Sequence, residues 1–203
     1  VDIQRKISKE EMDALPVAEY TDRIVVISTT AEAVKAVHAL RVSGNIIGFD
    51  TETRPAFKKG EVHKVALVQL SSGDLCFLFR LCRMKGLGPV REVLEDPSLL
   101  KVGISLHDDF ANLRKWDKEL APQGFVELQQ WVKPYGIEDN SLAKIYAIVR
   151  GKKMSKRQRL TNWENETLTD KQMAYAALDA AACVEIYEQL SQEQKSADDC
   201  RTV

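Results

Sequence analysis

Cysteine and histidine are scarce here, four of one and three of the other in 203 residues. Cys76, Cys82, Cys183 and Cys200 form no Cys-x-x-Cys pair, and no histidine stands at a zinc-like spacing from them. That argues against a disulfide framework or a structural zinc. It leaves buried free thiols as the expectation and points to a reducing compartment, the cytoplasm. Also missing is any apolar run near the roughly 20 residues a bilayer span needs, or a basic start leading into a signal-peptide core. No membrane partner is expected. Nor does one sign of charge dominate: 29 basic against 30 acidic residues give a net charge of −1. Such a balance does not advertise nucleic-acid binding, yet an enzyme that gathers acids around cations can be globally neutral and grip its substrate through a local basic patch. The chain opens on Val1 rather than Met, which leaves room for further domains outside it. Nothing in the sequence names a protein partner or an oligomeric state.

What is there describes an ordinary globular domain, 44% hydrophobic and 29% charged, long enough for one real core. Ser8 with Glu11 and Thr29 with Glu32 have capping-box spacing and open helices, the first ended by Pro16 and the second by Gly44. Residues 23–27, 45–50, 65–70, 75–79, 101–104 and 125–128 read as strands, with a Ser-Ser-Gly-Asp turn making a hairpin of the third and fourth. A helix is expected through Asp109, Leu113 and Trp116, another from Ser141, and a last one from Thr169 to about Leu190. Strands crowd the first two thirds and helices the last. The reading is therefore one α/β domain with a central mixed sheet flanked by α-helices. It spans 23–190, with an N-terminal extension over 1–22 and a frayed polar tail over 191–203.

Three acidic elements carry the chemistry. In Phe49-Asp50-Thr51-Glu52-Thr53, strand alternation puts Asp50 and Glu52 on one face. Paired carboxylates at a buried strand end repel each other unless a cation neutralises them, and oxygen donors suit Mg²⁺ or Mn²⁺. Taken alone, the motif is also a common solvated turn. In Tyr175-Ala176-Ala177-Leu178-Asp179, residues four apart share a helical face, within a run of alanines that lets a helix press closely on a sheet. The plainer alternative is a packing tyrosine beside a solvated aspartate. In His107-Asp108-Asp109-Phe110, one aspartate can cap the helix and the other face the site, and acids at a helix start are favoured anyway.

In order along the chain, Asp-x-Glu, Asp and Tyr-x-x-x-Asp resemble the three motifs of the DEDD exonuclease superfamily, in its DEDDy branch. Val65-Ala66-Leu67-Val68-Gln69-Leu70, Leu160-Thr161-Asn162-Trp163 and Gln172 before Tyr175 are similar to the ribonuclease D and Werner-like families. The resemblance covers residues 23–190 and implies a ribonuclease H-like fold and a 3′-5′ exonuclease releasing nucleoside 5′-monophosphates. It implies two Mg²⁺ or Mn²⁺ ions. Asp50, Glu52 and Asp179 would hold the first, Asp50 and Asp109 would serve the second, and Tyr175 would orient the attacking water. Asp109 is chosen over Asp108 because Leu113 follows it by one helical turn.

Between Arg150 and Arg159 lie six cations and no acid. Lys152, Lys153, Lys156, Arg157 and Arg159, with Thr51 inside the first motif, are the expected contacts to a nucleic acid with a free, preferably single-stranded 3′ end. A solvated surface loop is the plain alternative. Lys58, Lys59, His63 and Lys64 would form the other bank of the groove, and Trp163 reads as a core anchor. The competing functions are an inactive exonuclease-like binding or scaffolding domain, and a phosphatase that uses Asp50 as nucleophile and gives Tyr175 no role. The motifs do not separate DNA from RNA.

Overall fold

The computed structural model describes residues 4–201, with side chains over 4–194. In chain order the elements are α1 (Lys9–Ala14), β1 (Arg23–Ile27), α2 (Thr30–Ser43), β2 (Ile47–Thr53), β3 (Val65–Ser72), β4 (Leu75–Phe79), α3 (Leu81–Met84), α4 (Val90–Glu95), β5 (Lys101–Gly103), α5 (Leu106–Leu113), β6 (Phe125–Glu127), α6 (Leu128–Trp131), α7 (Leu142–Arg150) and α8 (Asp170–Arg201). Both expected capping boxes form, Ser8 with Glu11 and Thr29 with Glu32, and Gly44 ends α2 in the left-handed conformation.

The strands build one mixed sheet in the order β1-β4-β3-β2-β5-β6. The hairpin of β3 and β4 and the pairing of β2 with β3 are antiparallel; β1 with β4, β2 with β5 and β5 with β6 are parallel. A register shift between Glu52 and Thr53 leaves Ala66 as an extra residue in β3, a bulge beside the first acidic motif. One face of the sheet is covered by α2, α4 and α5 over a core that includes Leu40, Phe49, Leu70 and Phe79. Along the other runs α8, buried there through Ala176, Ala177, Ala180 and Ala182. Gly48 makes that approach possible. A Cβ on it would stand 1.9 Å from the Ala180 carbonyl oxygen, so helix and strand meet backbone to backbone.

Three expectations are corrected. The final helix does not stop at Leu190 but continues through the polar segment to Arg201, because no proline or glycine interrupts it. The helix after β5 ends at Leu113, and Trp116 lies in the turn beyond it, donating its indole N–H to the Val65 carbonyl at 2.8 Å. Its N-cap is Ser105, so neither aspartate caps it. Cys76, Cys82 and Cys183 are free thiols, the first and last buried; the Cys200 side chain lies outside the described residues. Trp163 is fully buried, as expected of a core anchor. Among the described residues, no helix is long and apolar enough to cross a membrane.

Candidate active site

Strand β2 carries Phe49 into the apolar core and, on its opposite face, Asp50 and Glu52 toward α8. From α8, Asp179 comes down onto the same spot. Carboxylate oxygens of Asp50, Glu52 and Asp179 all lie within 4.8 Å of one another. Tyr175, one turn earlier on the helix, donates its hydroxyl hydrogen to Asp179 and packs its ring against Trp163, 6.0 Å away between centroids. The pairs predicted from periodicity thus converge on a single site.

Asp109 reaches this neighbourhood from α5. Its Oδ1 accepts a hydrogen bond from the Thr51 hydroxyl at 2.5 Å, and its charge bears on Glu52. Asp108 points away into solvent beside His107, its side chain 84% exposed. The two adjacent aspartates are therefore separated by the geometry of the helix.

All four carboxyls are held above the ordinary carboxylate range. Burial is the first cause for each. Like charge adds to it: Asp179 acts on Asp50, Asp50 and Asp179 on Glu52, and Asp50 on Asp109. Arg159 is the cation that draws Glu52 back down. Burial, followed by the charges of Asp179 and Glu52, also pushes the Tyr175 phenol up, so it stays protonated. A divalent cation bound to this oxygen-only set would remove the repulsion, which is the physical test that the donors fit one.

The basic loop divides. Lys152, Lys156, Arg157 and Arg159 are exposed, and Arg159 alone among them acts on the acidic cluster. Lys153 is turned the other way, its Nζ donating to the Asp13 carbonyl at 2.6 Å while its backbone pairs with Val17. In the β2–β3 loop, His63 lies between Glu61 (2.9 Å) and Glu164 (3.6 Å), and Glu164 also takes Arg54 at 3.3 Å. These contacts tie the β2–β3 loop to the segment before α8. Lys64 is stacked over Trp116, 4.4 Å from the ring centroid.

One participant escaped the sequence reading. Glu127, at the end of β6, accepts the backbone N–H of Ser105 at 3.1 Å and of Leu106 at 2.8 Å, at the start of the helix that bears Asp109. The signal available was an acid closing a strand just before a short helix, which it also caps through Gln129.

Known proteins share both the sequence and the fold. A family model described as 3′-5′ exonuclease matches residues 24–195. Exonuclease 3′-5′ domain-containing protein 2 of Drosophila melanogaster is 37% identical over 152 residues, covering 73% of this chain and 26% of the relative. The mouse bifunctional 3′-5′ exonuclease/ATP-dependent helicase WRN is 36% identical over 160 residues, covering 75% of this chain and 11% of the relative. The chain thus spans about a quarter or less of the length of these relatives. Among solved structures, the Aedes aegypti Nibbler EXO domain superposes with a TM-score of 0.76 at 22% identity, covering 86% of this chain and 90% of that one. Escherichia coli RNase D gives 0.74 at 23%, covering 89% and 49%. Trypanosoma brucei RNase D in complex with RNA U12 gives 0.72 at 19%, covering 84% and 63%. At these identities the structures speak for the fold, which is ribonuclease H-like. With the family model matching residues 24–195 of this chain, the chain belongs to the 3′-5′ exonuclease family.

Proposed function

We propose that this chain is a metal-dependent 3′-5′ exonuclease that releases nucleoside 5′-monophosphates from single-stranded 3′ ends of DNA or RNA. The observation that carries the reading is the convergence of Asp50, Glu52 and Asp179 within 4.8 Å in a half-buried setting. Three carboxylates brought together there cost folding free energy, and a bound cation is what offsets it. Asp50, Glu52 and Asp179 would hold one ion, and Asp50 with Asp109 would serve a second. Mg²⁺ or Mn²⁺ suits such oxygen donors. When bound, such ions supply Lewis acidity and a lowered pKa for water.

The chain's own residues do the rest. Tyr175, protonated and fixed by Asp179, orients the attacking water through its hydroxyl. That water's oxygen bonds to phosphorus as the bond from phosphorus to the 3′ oxygen breaks. The proton ends on the shortened strand's 3′-hydroxyl, and a 5′-monophosphate departs. Thr51 holds Asp109 in place. Lys152, Lys156, Arg157 and Arg159 line the approach and contact backbone phosphates, with Arg159 nearest the acids. Lys153 serves instead to fasten the N-terminal extension, 1–22, to the exonuclease domain, 23–190. The structural likeness to an RNase D known with RNA favours including RNA in the test.

The decisive measurement is a time course on 5′-labelled single-stranded DNA and RNA with free 3′ ends, with Mg²⁺, Mn²⁺ or EDTA. A ladder shortening from the 3′ end, abolished by EDTA and by Asp50→Ala, is the expected result. A folded chain that binds either polymer and degrades neither would be an inactive exonuclease-like binding domain. Tyr175→Phe keeps the packing against Trp163 and removes only the hydroxyl. It should lower turnover by about a hundredfold, the scale of losing one preorganised donor, with the melting midpoint close to wild type.

A further inference from the structure

We propose that Glu127 is a positioning residue: by capping α5 from the end of β6, its carboxylate sets the rotation of that helix and so delivers Asp109 rather than Asp108 to the acidic site. The inference rests on the nuclease reading above. It starts from the turn into α5. Ser105 sits there with φ +57, a left-handed conformation that an L side chain adopts only when its surroundings hold it. The Ser105 side chain does not cap the helix. The free N–H groups of the first turn therefore need an acceptor from elsewhere.

Glu127 provides it with both oxygens. Oε2 accepts from Leu106 N at 2.8 Å, and Oε1 accepts from Ser105 N and from Gln129 N, each at 3.1 Å. Gln129 completes the clasp, its Nε2 donating to Ser105 Oγ at 3.1 Å and to the Asn140 carbonyl at 3.0 Å. The parallel register of β5 and β6 sets Glu127 beside Gly103, two residues before the turn. A cap from Ser105 itself would satisfy the amides locally. A cap from β6 ties the helix to the sheet that carries Asp50.

Rotation is what matters at this point. Successive helix residues are about 100° apart. Asp109 faces Thr51 and the acids, whereas the Asp108 side chain is 84% exposed. A turn that slipped by one residue would exchange them. Glu127 does not touch the reacting atoms, so its effect must pass through Asp109.

The test compares Glu127→Ala and Glu127→Gln with wild type, using the whole 203-residue chain. Mn²⁺ affinity is read by calorimetry, amide exchange at Leu106 by NMR, and the folded fraction by thermal melting. Glu127→Ala should weaken Mn²⁺ binding roughly ten- to hundredfold, the usual loss when an outer-shell partner is removed, and speed exchange at Leu106. KM for the strand should stay unchanged while kcat falls. Glu127→Gln keeps one acceptor oxygen but turns its amide nitrogen on the other backbone N–H, so it should recover part of the affinity that Glu127→Ala loses. Wild-type Mn²⁺ affinity in folded Glu127→Ala, or a loss of turnover that only tracks its unfolded fraction, would overturn this inference alone. A wild-type chain that binds no Mn²⁺ would overturn the nuclease reading and this inference with it.

Discussion

Two adjacent cross-strand rows of the same sheet show how differently its faces are used. One row reads Val25–Phe77–Leu70–Phe49 across β1, β4, β3 and β2, and points into the apolar core. The next, pointing toward α8, reads Val26–Leu78–Gln69–Asp50. The first is apolar throughout. The second runs from the aliphatic Val26 and Leu78 through the amide of Gln69 to a carboxylate held above its ordinary range by burial and by Asp179. One face stabilises the domain; the other spends part of that stability on a cluster of acids. Local conflict of this kind is what a functional site looks like in an otherwise consistent sequence.

Asp50→Asn should break the comparison most sharply. Activity should fall by more than about a hundredfold, since one of the three converging carboxylates loses its charge. In EDTA, the same variant should unfold at a higher temperature than wild type, because the repulsion with Asp179 is gone. The sign follows from the raised pKa. A carboxyl that binds its proton more tightly in the folded state favours the fold at low pH, and that contribution is lost as pH rises through the raised value. Metal-free wild type should therefore lose stability from about pH 4 upward past neutrality, and Asp50→Asn should lose less. A melting midpoint that rises with pH over that range in EDTA would show that the acids are already compensated within the protein.

The apolar row should answer in the opposite way. Phe49→Ala removes a ring that packs on Phe110 and Phe125, with centroids 6.0 and 5.2 Å away. It should cost about 3–5 kcal/mol in urea unfolding. The molecules that remain folded should bind Mn²⁺ as wild type does. If Mn²⁺ affinity fell with stability in the folded fraction, the two faces would not be separable.

The sequence disclosed this division only in part. Strand alternation placed Asp50 and Glu52 together, and helical spacing placed Tyr175 above Asp179, because both periodicities are local. Thr169 and Gln172 likewise cap each other at the start of α8, three residues apart. What stayed hidden depends on long-range contact. The Leu113 one turn after Asp109 favoured it over Asp108, but no spacing disclosed that Glu127 would reach the start of α5 from another strand. Lys153 looks like its basic neighbours until Asp13, far away in sequence, is seen to take its ammonium group. The extension of α8 to Arg201 was missed because its polar end shows no apolar stripe, although nothing there terminates a helix.

The smallest expected effect sharpens the contrast at its boundary. Gln69 is fully buried, lies opposite Asp50 in the β2–β3 pair, and among the described residues has no hydrogen-bond partner for its amide oxygen or nitrogen. A side chain of that kind inside a sheet lowers stability unless something compensates for it. Gln69→Met retains the length and removes the polarity, so on packing grounds alone it should raise stability by about 1 kcal/mol. If Gln69 belongs to the apolar row's function, activity will follow stability upward or stay level. If it belongs with Asp50, the variant will be more stable and slower, with its Mn²⁺ titration shifted to higher concentration. The register favours the second outcome, because residues directly paired across antiparallel strands project to the same face. A stabilised variant with unchanged kcat and Mn²⁺ dependence would move the boundary of the site one strand closer to Asp50 and leave Gln69 as an unneeded cost of the fold.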